Sequence, residues 1–475
     1  MANPPSKSIA ILGAGATGLA AAFHLAKRGH RVRVFEATGR VGGAIRTELT
    51  DGWLVESGPN SLLAGDPALA RLLNDLGLAS HIQSASPAAK HRYIVRRGRP
   101  VAAPTSPPAF LASPLFSVRA KLRLLGDLFM RPRVRPGDLS LEEFVRAHFG
   151  QELVDYGLNP FVGGIYAGNP KKLSARHSFP QLWAIEQNTG SIIRGQIVAA
   201  KAKKTAGAPK GGIVSLTRGL QMIPDALAAR LPPGALVLNA RLEALLPRGT
   251  GVPPVSLPGS PSAPGARWSL VWHDGTAAHT EQFDTIVAAL PGPALAQLRF
   301  GTLGERPLAS LDAIEHPPVS SLFLGFRREQ IAHPLDGFGV LLPEIEQRAS
   351  LGILFSSSLF PGRAPAGHVA LTVMAGGTRQ PEIARLTADK LLATVGRDLH
   401  ELLGVRGAPV FQRHAFWPRA IPQYNLGYGQ HLDAMAACER AHPGLFIGGQ
   451  ARDGIALPAC LAAGEKLAAR ICGSG

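Results

Sequence analysis

The chain, 475 residues long, predicts an α/β fold of more than one domain, and three observations predict it. Its first residues read strand, glycine turn, helix, strand. Its last residues repeat strand, glycine turn, helix. Between them lie short apolar runs punctuated by 54 glycines and 40 prolines, a texture of turns and close backbone approaches. At this length one hydrophobic core stops growing and a chain divides, and an apolar content of 45% fills two or three domains.

The elements follow in order. Residues 8 to 12 form a strand, 18 to 28 a helix stopped by Gly29-His30, and 31 to 36 a second strand. Residues 67 to 77 are helical, with Leu69, Leu72, Leu73 and Leu76 on one face and Gly77 as the stop. From 90 to 210 the character changes: prolines punctuate residues 100 to 114, then basic amphipathic segments such as 117 to 130 predict a helical unit. After Gly234 come strands at 235 to 239 and 268 to 273, flanking a Pro/Gly/Ser-rich surface loop at 247 to 266. Residues 283 to 290 form an apolar strand ended by Pro291-Gly292-Pro293, and 318 to 326, 338 to 342 and 350 to 355 are further strands of a mixed sheet. Helices follow at 383 to 404 and 430 to 440, and residues 444 to 475 echo the opening unit without any internal repeat in between.

The formal charge of +17 is concentrated, since residues 90 to 210 hold 20 Lys and Arg against 7 Asp and Glu. That segment meets anions. No zinc spacing or RNA-binding signature accompanies it, so nucleic acid is set aside in favour of anionic lipid or a carboxylate-bearing substrate. Cys438, Cys460 and Cys472 show no metal or redox spacing and predict a reducing compartment. The apolar stretch 9 to 23 contains the glycine turn and leads into a strand, so it is not read as a secretory signal, and no other run is long enough to span a membrane.

The chemistry lies in Gly13-Ala14-Gly15-Ala16-Thr17-Gly18. Gly13 allows the tight turn, Gly15 lets backbone approach a pyrophosphate, and Gly18 lets the helix pack on the sheet, as in a Rossmann-like dinucleotide site whose phosphates sit on the N-terminus of the helix. Ala16 and Thr17 contribute that N-terminus. Glu36, 18 residues past Gly18, accepts from a ribose diol and repels a 2′-phosphate. The run Gly39-Arg40-Val41-Gly42-Gly43-Ala44-Ile45-Arg46 then favours FAD over NAD: Gly42 and Gly43 permit a second close approach to the same dinucleotide, with Arg40 and Arg46 for phosphate charge. A single fingerprint, with no second site for a nicotinamide, directs the electrons to oxygen or a quinone.

The chain resembles the FAD-dependent protoporphyrinogen oxidases, within the group that includes monoamine oxidases and phytoene desaturases. The resemblance runs nearly end to end. It is carried by Glu56-Ser57-Gly58-Pro59-Asn60-Ser61, by Asn159-Pro160-Phe161-Val162-Gly163-Gly164-Ile165-Tyr166-Ala167-Gly168-Asn169-Pro170, and by residues 186 to 193. Further matches are residues 218 to 224, 356 to 361, 417 to 424 and 448 to 457.

The resemblance implies three parts. An FAD domain is assembled from 1–89, 211–290 and 421–475, a mixed-sheet substrate domain covers 291–420, and a helical, basic membrane-binding domain covers 90–210. It implies non-covalent FAD held also by Gly58, Pro59, Asn60, Ser61, Leu242, Trp417, Gly448, Gly449, Gln450, Ile455, Ala456 and Leu457. Arg92 pairs with a propionate, Phe360 stacks on the tetrapyrrole, Leu341 is an aliphatic wall, and Gly164 leaves room for the macrocycle. No metal and no catalytic side chain is implied, since the flavin N5 takes hydride from a methylene bridge.

The activity implied is oxidation of protoporphyrinogen IX to protoporphyrin IX by three successive two-electron removals, with oxygen as acceptor and peroxide as by-product. Coproporphyrinogen oxidation, another flavin amine oxidase or desaturase, and a non-catalytic flavin-binding membrane module stand as alternatives. The location implied is cytoplasmic, attached peripherally to the inner face of the cell membrane. A homodimer and hand-over to the next tetrapyrrole enzyme are left open.

Overall fold

The computed structural model of the protein describes residues 6–205, 211–247 and 267–473. The loop expected at 247 to 266 lies almost wholly outside the described residues. At the centre is the strand Ser8–Leu12, buried at every position. It sits third in a five-stranded parallel sheet whose order is Leu236–Val237, Arg31–Phe35, Ser8–Leu12, Thr285–Ala288 and Leu445–Ile447. Ile9, Ile11, Val34 and Val287 face one core, and Ala10, Leu12, Phe35 and Ile286 face another. Parallel strands need cover on both sides because neither face can be left to water. Helices Ala16–Lys27 and Leu457–Gly473 cover the first face. The second packs on the antiparallel meander Arg241–Pro247, Trp268–His273 and Ala278–Phe283 through Trp268, Leu270 and Trp272.

A second, seven-stranded sheet runs Phe411–Trp417, Val319–Arg327, His368–Gly376, Ser350–Leu354, Gly337–Leu341, His91–Arg96 and Arg99–Ala102. It is mixed, as the sequence predicts: only Gly337–Leu341 and His91–Arg96 run parallel. Helix Ala388–Leu403 covers one face with Leu391, Val395, Leu399 and Leu402.

The last two strands correct the expected boundary, because residues 91 to 102 belong to this sheet and not to the helical unit. They form a hairpin turned at Arg97 and Gly98, with φ +52° and +73°, the left-handed pair that suits a two-residue hairpin turn. Pro100, one of the prolines that punctuate residues 100 to 114, lies in a strand at the sheet edge, where a missing N–H is tolerated. The helix expected at 383 to 404 is two, Pro381–Ala384 and Ala388–Leu403.

Between the hairpin and residue 205 the chain is helical, and its helices converge on one buried polar network. His148 presents Nδ1 to Asp127 at 2.5 Å and Nε2 to Glu186 at 3.1 Å. Arg135 grips Glu186 with two N–H groups, while Asp127 accepts from the Ser191 hydroxyl and the backbone N–H groups of Ile192 and Ile193. Five stretches, at 127, 135, 148, 186 and 191 to 193, are thus tied by charge-assisted bonds where water does not reach. Burial works against ionised Glu186, but the bonds from Arg135 and His148 outweigh it and hold the carboxyl below its usual range. Among the described residues no helix is long and apolar enough to cross a membrane.

Removing one partner of such a network leaves buried charge uncompensated. His148→Ala is expected to lower the urea unfolding free energy by about 3 kcal/mol, and an unchanged midpoint would contradict this. Because Glu186 titrates below its unfolded value, its contribution is complete above about pH 4.5 and is lost as pH falls through the depressed folded value.

Candidate functional site

Two of the three fingerprint glycines are required by the packing of the protein itself. Gly13 has φ +97°, and a Cβ there would lie 2.8 Å from the Ala289 carbonyl oxygen. A Cβ on Gly18 would lie 2.0 Å from the Gly13 oxygen, so helix Ala16–Lys27 can start this close to its strand only on a hydrogen atom. Gly15 differs. Its φ is −76°, and no heavy atom lies within 4 Å of its would-be Cβ. Neither strain nor packing asks for glycine, and what it leaves is space in front of helical N–H groups that no side chain caps. Space plus donors at a helix N-terminus fits a diphosphate. Ala16 and Thr17 open the helix, Thr17 buried.

Glu36 is fixed at the same turn. Its Oε2 accepts from the Ala14 N–H at 2.9 Å, and its Oε1 from the N–H and hydroxyl of Thr38 at 3.0 and 2.8 Å. A carboxylate offers about four lone pairs, so acceptor capacity remains for a ribose diol. Leu242 stands two residues past Ala240, whose N–H donates to the Glu36 carbonyl, and is half-buried opposite Trp272.

The second glycine pair lies against the first turn. The Gly42 N–H donates to the Ala14 carbonyl at 2.8 Å, and a Cβ on Gly43 would come 3.4 Å from the Gly15 Cα. Arg40 departs from its expected role as phosphate charge, for its guanidinium donates to the carbonyls of Val41, Gly43 and Ile45 and braces this loop. Arg46 is exposed. The loop 58–61 closes on the same region: a Cβ on Gly58 would lie 1.9 Å from the Ala44 oxygen, and the Asn60 amide donates to the Gly58 carbonyl. Pro59, Asn60 and Ser61 are half-buried. Trp417 donates from Nε1 to the Ser57 carbonyl at 2.8 Å, which joins the second sheet to this loop.

The C-terminal segment completes the ring of contacts. Gly448 donates to the Ala288 carbonyl, and Gly449, at φ +114°, donates to Asp453 at 2.8 Å. The carbonyls of Gln450 and Ala451 accept from the hydroxyls of Tyr424 and Tyr428, and burial pushes both phenols up. Ile455 packs on two cores, Ala456 is exposed, and Leu457 is buried at the head of the last helix. The two tyrosine anchors were missed as residues with a role, although Tyr424 ends the motif at 417 to 424.

Of the remaining sites, Leu341 and Arg92 fall on the second sheet. Directly opposed residues Ala415, Ser321, Met374, Gly352, Leu341 and Ile94 form one row across six strands, and directly opposed residues share a face. Trp417, two residues from Ala415, lies on that face too. Strands are about 4.8 Å apart, so the face extends roughly 19 Å from the strand of Trp417 to that of Leu341. Leu341 reaches within 2.7 Å of a would-be Cβ on Gly164, in helix Asn159–Tyr166. Arg92 is exposed beyond it, 5.5 Å from the Phe338 ring, and among the described residues no carboxylate pairs with it.

Phe360 stands apart from these three. It is 2% exposed, with the Arg363 guanidinium over its ring at 5.4 Å, so one ring face is already covered. It lines a cavity with Leu54, Glu56, Asn60, Phe323, Ser356, Leu359 and Arg363. Ser356 bonds Thr372, which lies opposite Phe323, so this cavity adjoins the same sheet.

Residues 16–472 match the model of the family described as flavin containing amine oxidoreductase. The chain is 37% identical to protoporphyrinogen oxidase 2, chloroplastic/mitochondrial, of Arabidopsis thaliana, over 97% of this chain and 93% of that protein. It is 28% identical to coproporphyrinogen III oxidase of Bacillus subtilis (strain 168), over 97% and 96%. A solved structure from Exiguobacterium sp. 255-15, provisionally assigned as a protoporphyrinogen oxidase, superposes with a TM-score of 0.80 at 24% identity, covering 99% of this chain and 100% of that one. This last likeness shows the fold.

The contrast between Gly15 and Gly18 separates ligand from scaffold. Gly15→Ala is expected to keep its unfolding midpoint while losing FAD affinity at least tenfold, about 1.4 kcal/mol, by titration of the apoprotein. Gly18→Ala is expected to destabilise the fold itself. A Gly15→Ala protein that binds FAD as tightly as its parent removes the diphosphate from this turn.

Proposed function

The chain belongs to the flavin containing amine oxidoreductases, and from that premise we propose that it oxidises protoporphyrinogen IX to protoporphyrin IX with oxygen as the electron acceptor. The observation that carries the reading is the sheet face that begins at Trp417, tied to the flavin-side loop through Ser57, and ends at Leu341 with exposed Arg92 beyond. A flat ring bound at one end and a second flat ring laid beside it have a common floor there.

When bound, FAD supplies the hydride acceptor and the route to oxygen. The protein holds the diphosphate at Gly13, Gly15 and the N-terminus of helix Ala16–Lys27, and the ribose at Glu36. Gly42, Gly43, Gly58 and the Tyr424-anchored segment at 450 close around the dinucleotide. Arg92 takes a propionate carboxylate in a bidentate pair suited to a guanidinium. In this reading Leu341, packed against Gly164, is an aliphatic wall for the macrocycle, and Phe360 bounds the adjoining cavity. Positioning is the main task of the protein: the methylene hydride goes to the flavin and the matching pyrrole N–H proton to solvent.

Coproporphyrinogen III is the second reading, supported by the near full-length likeness to the Bacillus enzyme; the two substrates differ in the carboxylates the pocket reads. The helical segment is read as a peripheral attachment to anionic lipid at the inner face of the cell membrane. It exposes Val118, Leu122, Leu125, Phe129 and Val134 beside Arg119, Arg123, Arg131 and Arg133, an apolar face rimmed by cations.

FAD-loaded protein incubated aerobically with each porphyrinogen is expected to raise porphyrin fluorescence above the rate of autoxidation. Bound flavin with no porphyrin from either substrate overturns the proposal in favour of a non-catalytic flavin protein. Arg92→Ala is expected to raise KM roughly tenfold to a hundredfold, the loss of one charge-assisted contact, with FAD content unchanged; an unchanged KM takes Arg92 out of the pocket.

A further inference from the structure

The buried ion pair between Glu56 and Arg363 sits where the flavin-side loop meets the substrate sheet. The two side chains are 2% and 3% exposed, and Arg363 Nη1 lies 3.1 Å from Glu56 Oε1. Glu56 also accepts from the Leu220 N–H at 2.8 Å and the Thr47 hydroxyl at 2.7 Å, and Thr47 accepts from the Gln221 N–H at 3.0 Å. Gly219 allows this approach, since a Cβ there would lie 2.2 Å from Thr47 Cγ2. On the other side, Arg363 donates from Nη2 to the Ser215 hydroxyl, accepts at its carbonyl from the Leu54 N–H, and covers the Phe360 ring. These bonds fix both side chains in position.

A buried pair of this kind adds little net stability, because desolvating both charges offsets their attraction; burial indeed pushes the Glu56 carboxyl up despite Arg363 beside it. Its value is geometric. Glu56 opens the stretch that continues into Gly58 and Asn60, while Arg363 fixes Phe360, and Asn60 and Phe360 line one cavity.

We propose that Glu56 and Arg363 are positioning residues that lock Phe360 against the flavin-side loop and so set the fit of the porphyrinogen ring. The inference rests on the functional reading above. Arg363 acts through Phe360, so removing the fork-shaped guanidinium matters only while the ring it holds is present.

A double-mutant cycle tests this on the FAD-loaded enzyme. Arg363→Lys, which keeps the charge and loses the planar fork, is expected to raise KM for the porphyrinogen about tenfold with the flavin spectrum unchanged. In a Phe360→Ala background the same change is expected to raise KM by less than about twofold. Additive effects on KM in the two backgrounds overturn the inference, since a general structural defect does not depend on Phe360. If Arg363→Lys fails to fold, Ser215→Ala, which removes only the hydroxyl accepting from Arg363, takes its place in the cycle. There an increase of about threefold, abolished without Phe360, supports the inference, and no such coupling overturns it. A wild-type enzyme that turns over no porphyrinogen overturns the functional reading and this inference with it, whereas turnover with an uncoupled cycle overturns the inference alone.

Discussion

The approach of helix Ala16–Lys27 to its neighbours is the constraint on which the rest depends. On one side the helix starts so near strand Ser8–Leu12 that only hydrogen fits at Gly18. On the other, a Cβ on Gly464 would lie 2.6 Å from both the Ala20 Cβ and the Ala21 nitrogen, so the last helix lies almost backbone to backbone on the first. Small residues at both contacts bring the two ends of the chain together. Gly449 comes to rest over Thr17, and the segment 448–457 joins the glycine turn at 13–18.

From that anchor the second sheet is oriented by few bonds, and each has a distinct cause. Trp417 reaches the Ser57 carbonyl because its strand is the far edge of the seven-stranded sheet. Glu56 and Arg363 meet because Gly219 lets the backbone at 220 and 221 come down on Thr47 and Glu56. Dispersion and apolar burial hold each sheet to its own helices, but burial is non-directional. Relative placement of the two sheets therefore falls to directional groups such as Trp417, Glu56 and Arg363.

Much of this was legible in the sequence, and the limits have physical reasons. The strand Ser8–Leu12, its turn and Glu36 could be read locally, because sterics at Gly13 and Gly18 act over a few residues. The strands at 319–327, 337–341 and 350–354 could be read from their apolar runs. The hairpin at 91–102 could not, because Pro100 is a strand breaker everywhere except at an edge, and edges are decided by tertiary order. Arg40 looked like a phosphate ligand because a cation beside glycines invites that reading, whereas its carbonyl partners appear only once the loop is folded. Phe360 was identified by its motif, but that Arg363 covers one of its faces depends on contacts 307 residues apart in the chain, those of Glu56 and Arg363. Within the sequence the substrate is legible only through motif resemblance, since no single side chain encodes it.

The proposed arrangement puts bound flavin and a porphyrinogen on one floor, close enough for direct hydride transfer. Its most direct test is the anaerobic half-reaction: FAD-loaded protein mixed with protoporphyrinogen or coproporphyrinogen in the absence of oxygen, with the visible flavin absorbance followed in time. The arrangement predicts that the flavin band bleaches as an oxidised tetrapyrrole forms, and returns when oxygen is admitted. A flavin that stays oxidised in the presence of both porphyrinogens would contradict it.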